Sequence, residues 1–375
     1  MTRLTIGLTL AAALAAGAAT AQDRSIRIAP AAPPAHPANG VLYTKFAEYL
    51  AEESGGRLGS TMIGPEVVNL GQMKDALQSQ VTEVGNLLPL YFPADLPITV
   101  LPGELSLQGT DSQATAAAMT EYLVTCAPCQ EEMRAFGIVY LGSGASDIYE
   151  ILSTKPVRTA DDMKGLRLRS GGSPWGRLAE HFGAVPAQMS VFDQFESISQ
   201  GVIDGTMASI ADLLSFRLVE VVGYVTELPI GNYFSTVDFA VANTTWDSLS
   251  PEDREAMVRA ANRANADFTQ RWGTEMPEEA EAAAREAGLE FVEPDPSLVS
   301  AIEEFIAADV DSVKSIGADQ SGIADAGEQV DRFMGLLDKW NGISAELGGD
   351  PAAMAERVQS EVWDTIDVAT YGAAN

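Results

Sequence analysis

Between Thr159 and Ala208 an alternating run, Leu166-Arg167-Leu168-Arg169, meets Ser170-Gly171-Gly172-Ser173-Pro174 and passes at once into a helical pattern. Alternation at period two predicts a strand, and glycines followed by Ser-Pro predict a turn that opens a helix. A strand that ends on an arginine at such a turn confines the chain to an α/β unit, and it builds an anion site. Arginine presents a planar, permanently charged fork that matches two carboxylate oxygens. The free N–H groups and positive dipole end of the helix add to the attraction. Arg167 and Arg169 share one side of the strand. Arg169, last before the turn, is the one expected to reach a ligand, with Arg167 nearer the surface. Ser173 is expected as the helix N-cap, with ligand contact as a second role, and Trp175 as cleft wall or packing.

The rest of the chain continues the alternation. Ser25–Ile28 reads as a strand, Pro30–Gly40 as a proline-rich loop, and Tyr43, Phe46, Ala47 and Leu50 recur at helical spacing up to Gly55-Gly56. A helix through Met73, Ala76 and Leu77 precedes a strand at Val81–Leu88. Ser112–Phe136 reads as helix and Ile138–Gly142 as strand. Strand and helix in turn predict parallel sheets with helices on both faces. Ala76–Gly85 resembles Ser197–Gly205, each a helix end turning directly into a strand, so two related lobes are expected. In open α/β sheets the ligand crevice lies beyond the carboxyl ends of the strands, here between the lobes. Ser250-Pro251-Glu252-Asp253 should cap a long helix reaching about Gly288, with Pro277 as a point where it could break. The remainder, from Pro294, is mostly amphipathic helix with no functional residue standing out.

Composition limits the partners. The 375 residues carry 53 acidic and 23 basic side chains, a formal net charge of −30. That excludes nucleic acid and anionic membranes as natural partners and reads as a solvated acidic surface. An anion-binding protein of this charge must build a local positive spot, which sharpens the reading of Arg169. Arg3, the apolar run Leu4–Leu14 and Ala19-Thr20-Ala21 form a secretory signal. The mature chain is expected to begin near Gln22, without a lipid anchor, in the periplasm. Cys126 and Cys129 are the sole cysteines. Export favours a disulfide between them, with free thiols or a redox pair as alternatives. With only His36 and His181 as further soft ligands, no metal site or cofactor is expected.

Enzyme signatures fail. The sequence has no Gly-x-Ser-x-Gly elbow, Walker loop or His-Glu-x-x-His, and Gly142-Ser143-Gly144 lacks the third glycine of a dinucleotide turn. Cleft-lining candidates by chain position are His36 in the proline-rich loop, Asn86 and Tyr91 after the second-helix strand, Tyr149 before the lobe crossing, and Asn232 and Tyr233 before the strand Val237–Val241.

Val157–Arg169, carrying Asp161-Asp162-Met163-Lys164-Gly165, resembles the solute-binding proteins of TRAP (tripartite ATP-independent periplasmic) transporters, dicarboxylate receptors among them. Phe46–Leu58 is similar to that family's first helix and turn, Gln200–Gly205 to its helix-to-strand signature, and Trp246–Asp253 to the lead-in of its long helix. The resemblance implies two hinged α/β lobes and closure around an organic acid. It further implies delivery to a membrane permease driven by an ion gradient, and pairing of Arg169 with the ligand carboxylate. Two departures stand out. Thr206-Met207-Ala208 replaces the Gln-Glu-Asn frequent after Asp-Gly, and Asp147–Leu152 lacks the second arginine of many dicarboxylate binders. A hydroxy-, keto- or aromatic monocarboxylate fits better.

The expectation is therefore a periplasmic, monomeric binding protein without catalysis. Its parts would be a leader (1–21), lobe I (22–152), lobe II (153–232), a return to lobe I (233–250), a bracing helix (251–288) and C-terminal elements (289–375). The rivals are a secreted enzyme acting on organic acids or sugars and the receptor of an ATP-driven importer.

Overall fold

The computed structural model describes residues 24–373; the expected leader lies outside them. The strands are β1 (Arg24–Ala29), β2 (Leu58–Met62), β3 (Val84–Leu87), β4 (Ile138–Tyr140), β5 (Tyr149–Ser153) and β6 (Arg167–Ser170). They continue with β7 (Val185–Gln188), β8 (Gly205–Ser209), β9 (Tyr224–Thr226), β10 (Val237–Ala242) and β11 (Glu290–Val292). They form a five-stranded sheet, β2-β1-β3-β10-β4, and a six-stranded sheet, β11-β9-β5-β8-β6-β7. Helices flank both, giving a two-lobe α/β molecule.

Both sheets are mixed, which corrects the expectation of parallel ones. β10 runs antiparallel to β3 and β4, and β5 runs antiparallel to β8 and β9. These two strands arrive from the opposite lobe through extended segments. A parallel partner would require a crossover with its own helix, and the chain has none at these points. The two crossing segments lie side by side. Ser146 N–H donates to Tyr233 O, Tyr149 N–H donates to Gly231 O, and Ile148 bridges Asn232. Tyr149 therefore lies just past the crossing, in β5, and not before it.

The internal similarity is structural. Val81 and Thr82 N–H both bond Ala76 O, as Val202 and Ile203 N–H both bond Ser197 O; Glu83 N–H bonds Arg27 O, as Asp204 N–H bonds Arg167 O. Gln80 and Gly201 turn the chain at positive φ, 58° and 68°. Even the acids match: Glu83 accepts from Arg27 N–H and Asp204 from Arg167 N–H, each at 3.0 Å. This turn shortens the first strand, so β3 begins at Val84 where the sequence suggested Val81.

Ser250 caps the long helix, accepting from Asp253 N–H at 3.1 Å. The helix runs Pro251–Gln270, widens to a π turn at Arg271–Glu275, and resumes over Met276–Ala287 before Gly288 ends it at φ 83°. Pro277 does not break it. Proline lacks an N–H and crowds carbonyls one turn back, and the π turn lies over the residues whose carbonyls it would crowd. The first half packs on the helices Thr44–Glu53 and Pro351–Glu361, the second against Asp212–Ser215 beside the other sheet. The segment read as one helix, Ser112–Phe136, is two, Ser112–Val124 and Ala127–Phe136. Cys126 caps the second and is disulfide-bonded to Cys129; Pro128 in the first turn carries the signal for that restart. Among the described residues no helix is long and apolar enough to cross a membrane.

Candidate functional site

A cavity of about 540 Å³, counting its mouth, opens between the lobes. β6 delivers Arg169 to it from the second lobe, and the side chain is only 2% exposed. Arg167, two residues back, is solvent-facing and paired with Asp204, the division of labour expected from Arg169's place next to the turn. The Arg169 guanidinium is held by neutral groups: Nε donates to Met189 O at 3.2 Å and Nη2 to the Tyr91 hydroxyl at 3.0 Å. Gly171 keeps the fork clear, since a Cβ there would stand 3.3 Å from Nη1. Burial works against the charge, but the Tyr91, Tyr149, Asp212 and Tyr233 oxygens around it more than offset that. Tyr91 Oη also accepts from Val191 N–H at 3.1 Å. With two donors on its oxygen, its own O–H is left to donate. Guanidinium and phenol together form a donor cradle suited to a carboxylate.

Two acids share the cavity. Asp212 accepts from Gln194 Nε2 at 3.2 Å and from Ser215 Oγ at 3.1 Å. Burial raises its pKa to about 6 against the pull of Gln194, Arg169 and Ser215. Asp238, on β10, is fully buried, and burial raises it to about 7 against the weaker pull of Thr236 and Gly144. His36 Nδ1 accepts from Ala38 N–H at 3.1 Å, so the neutral ring carries its proton on Nε2. Burial lowers its pKa to about 4, and the rings of Phe216 and Trp272 meet it edge-on, each at 5.5 Å. Phe268 and Trp272 bring the bracing helix to the same cavity.

Of the residues named from the sequence, Arg169, Tyr149, His36, Asn86, Tyr91 and Tyr233 line the cavity; Asn86 does so from within β3. Trp175 does not reach it. The indole is wholly buried behind, stacked on Tyr149 at 4.7 Å and Tyr233 at 5.7 Å, with Nε1 donating to Ile230 O. Ser173 is neither cap nor lining. Gly172 occupies the cap position, and the Ser173 hydroxyl is bound by Glu104 from a distant part of the chain. Asn232 is also displaced from the expected site: Nδ2 donates to Thr115 Oγ1 at 3.0 Å and Ser146 O at 3.1 Å, locking the lobe crossing. The sequence reading missed Asp212, Asp238, Phe268 and Trp272. Asp238 left a trace, an acid inside the apolar strand Val237-Asp238-Phe239-Ala240-Val241, where an unpaired charge is costly.

Comparison with known proteins agrees with this architecture. A solute-binding protein of Roseobacter denitrificans is 26% identical over 270 residues, 68% of this chain and 77% of that one. A TRAP solute-binding protein of Rhodoferax ferrireducens, solved with copurified benzoate, superposes with a TM-score of 0.76 at 18% identity, covering 86% of this chain and 99% of that one. A marine metagenome TRAP solute-binding protein solved with 3-hydroxybenzoate gives 0.75 at 20% identity, covering 85% and 99%. The family model described as bacterial extracellular solute-binding protein, family 7, matches residues 28–315, and the chain belongs to that family.

Proposed function

We propose that this protein is an exported receptor, without catalytic activity, that closes over a small organic acid and passes it to a TRAP permease driven by an ion gradient. The observation that carries this reading is Arg169: a buried guanidinium whose hydrogen-bond partners are neutral, facing a cavity between two lobes. A ligand carboxylate supplies the charged hydrogen-bond partner that the guanidinium lacks, and bidentate pairing away from water orients it. Arg169 is the one cation among the described lining residues, which favours a monocarboxylate over a dicarboxylate. Benzoate and 3-hydroxybenzoate in the two related structures are of that class. Tyr91, Tyr149, Tyr233, His36 and Asn86 complete the proposed contacts. Ligand favours the closed form because it touches both lobes there.

Thermal shift followed by titration calorimetry against a panel of carboxylates tests the reading. At least one should raise the melting temperature of the wild type, with Kd in the micromolar range, about −8 kcal/mol. Arg169→Ala should abolish the shift with the fold intact, and Arg169→Lys, which keeps the charge but loses the fork, should weaken it strongly. Wild-type binding retained by Arg169→Ala overturns the assignment.

A further inference from the structure

We propose that Asp238 selects the ligand, accepting a hydrogen bond from a hydroxyl or ammonium group that the ligand carries apart from the carboxylate held by Arg169. This rests on the receptor reading above and adds the chemistry of the ligand's second polar group.

Asp238 is 0% exposed and lines the cavity from the first lobe, across from Arg169 in the second. Neither carboxyl oxygen has a hydrogen-bond partner. The nearby donors, Thr236 and Gly144, weakly favour its charged form but make their hydrogen bonds to each other. Gly144 N–H donates to Thr236 Oγ1 at 3.1 Å, and Thr236 Oγ1 donates back to Gly144 O at 3.2 Å. The Tyr43 hydroxyl goes to the Asp238 backbone carbonyl at 2.7 Å and not to the side chain. Gly144 and Phe268 close the remaining approach; a Cβ on Gly144 would stand 2.8 Å from Oδ2 and 2.5 Å from the Phe268 ring. Asp212, by contrast, is satisfied by Gln194 and Ser215.

Buried polar groups are almost always hydrogen-bonded, so a carboxyl orphaned on a cavity wall offers a place for a ligand's donor. Asn86 Oδ1, on the neighbouring strand β3, is a second orphaned acceptor lining the same cavity. One wall thus donates through Arg169 and Tyr91, and the other accepts through Asp238 and Asn86. A ligand that satisfies both walls carries an acceptor, its carboxylate, and a donor.

Titration calorimetry with matched acids on wild type, Asp238→Asn and Asp238→Leu tests this. The sets are benzoate, 3-hydroxybenzoate and 3-(aminomethyl)benzoate; phenylacetate and mandelate; and propionate, lactate and alanine. The wild type should prefer a donor-bearing member over its donor-free parent by on the order of 10- to 100-fold. A hydroxyl preference identifies a neutral donor and an ammonium preference a cationic one; each supports the inference. Asp238→Leu should erase the preference, so that donor-bearing acids and their donor-free parents bind alike, and Asp238→Asn should reduce it. Without ligand, Asp238→Leu should melt above the wild type, because an orphaned buried carboxyl is gone. Equal affinity for all members of every bound set, or a preference that survives Asp238→Leu, overturns the inference and leaves the receptor reading standing. Binding of no carboxylate overturns the receptor reading and this inference with it.

Discussion

Arg169 of the second lobe donates through Nη2 to the hydroxyl of Tyr91 in the first, 3.0 Å away. The residue proposed to hold the ligand is thus itself a tie between the lobes. Tyr91→Phe removes the shared acceptor of Arg169 and Val191 N–H and the donor offered to the ligand. It should cost about 1–3 kcal/mol of stability in urea denaturation, the price of leaving charged and backbone donors unpaired. Carboxylate affinity should fall roughly tenfold by calorimetry. Unaltered values for both would show the contact to be incidental.

A second tie is ionic. Arg177, on the helix Ser173–His181, holds Asp309 through Nε and Nη2, both at 2.8 Å, and Glu104 through Nη1 at 2.5 Å. Both acids are buried. Arg177→Met leaves two enclosed carboxylates uncompensated, so stability should drop by about 3–5 kcal/mol. Adding Glu104→Gln and Asp309→Asn should restore much of it. A loss under about 1 kcal/mol, as for a surface pair, contradicts this account.

Acid should loosen the protein through His36. Its pKa is lowered from 6.5 to about 4 by burial, so the unfolded chain binds the proton more readily. Its contribution is complete above pH 6.5 and is lost as pH falls toward 4. Asp212 and Asp238, raised to about 6 and about 7, act oppositely and lower stability as pH rises through that range. The His36 component is isolated by comparing wild type with His36→Asn. Between pH 7 and 4.5 the wild type should lose about 2–3 kcal/mol more than the variant in urea denaturation. Parallel losses refute the assignment.

The Cys126–Cys129 bridge closes a very short loop at the start of a helix. Cys126→Ser with Cys129→Ser should therefore cost only about 2 kcal/mol on chain-entropy grounds. Ligand affinity should be unaffected, since neither residue lines the cavity. A change in Kd would point to a role beyond stability.

What could be read from the sequence was local. The strand ending at Arg169, the cap at Ser250 and the repeated helix-to-strand turns each rest on residues adjacent in the chain. The misreadings depend on distant partners. Ser173 looks like a cap until Glu104 arrives from another segment to take its hydroxyl. Asn232 looks like lining until Thr115 and Ser146 enclose it. The mixed sheets follow from where the chain crosses between lobes, which no periodicity encodes. Asp238 was visible as an acid within an apolar strand, but its significance depends on donors that are already engaged elsewhere.

The wide turn at Arg271–Glu275 fixes the azimuth of all that follows it in the bracing helix. Each residue of an ordinary α-helix advances about 100°, and the wide turn takes up one residue without that advance, so rewinding it as ordinary α-helix with every residue kept would spin Met276–Ala287 by roughly that angle. Ala280 and Ala284, now wholly enclosed with Leu213 and Val225, would rotate toward water. The angular phase between the halves of this molecule is therefore stored in the winding of one backbone segment, independent of the side chains that meet the ligand.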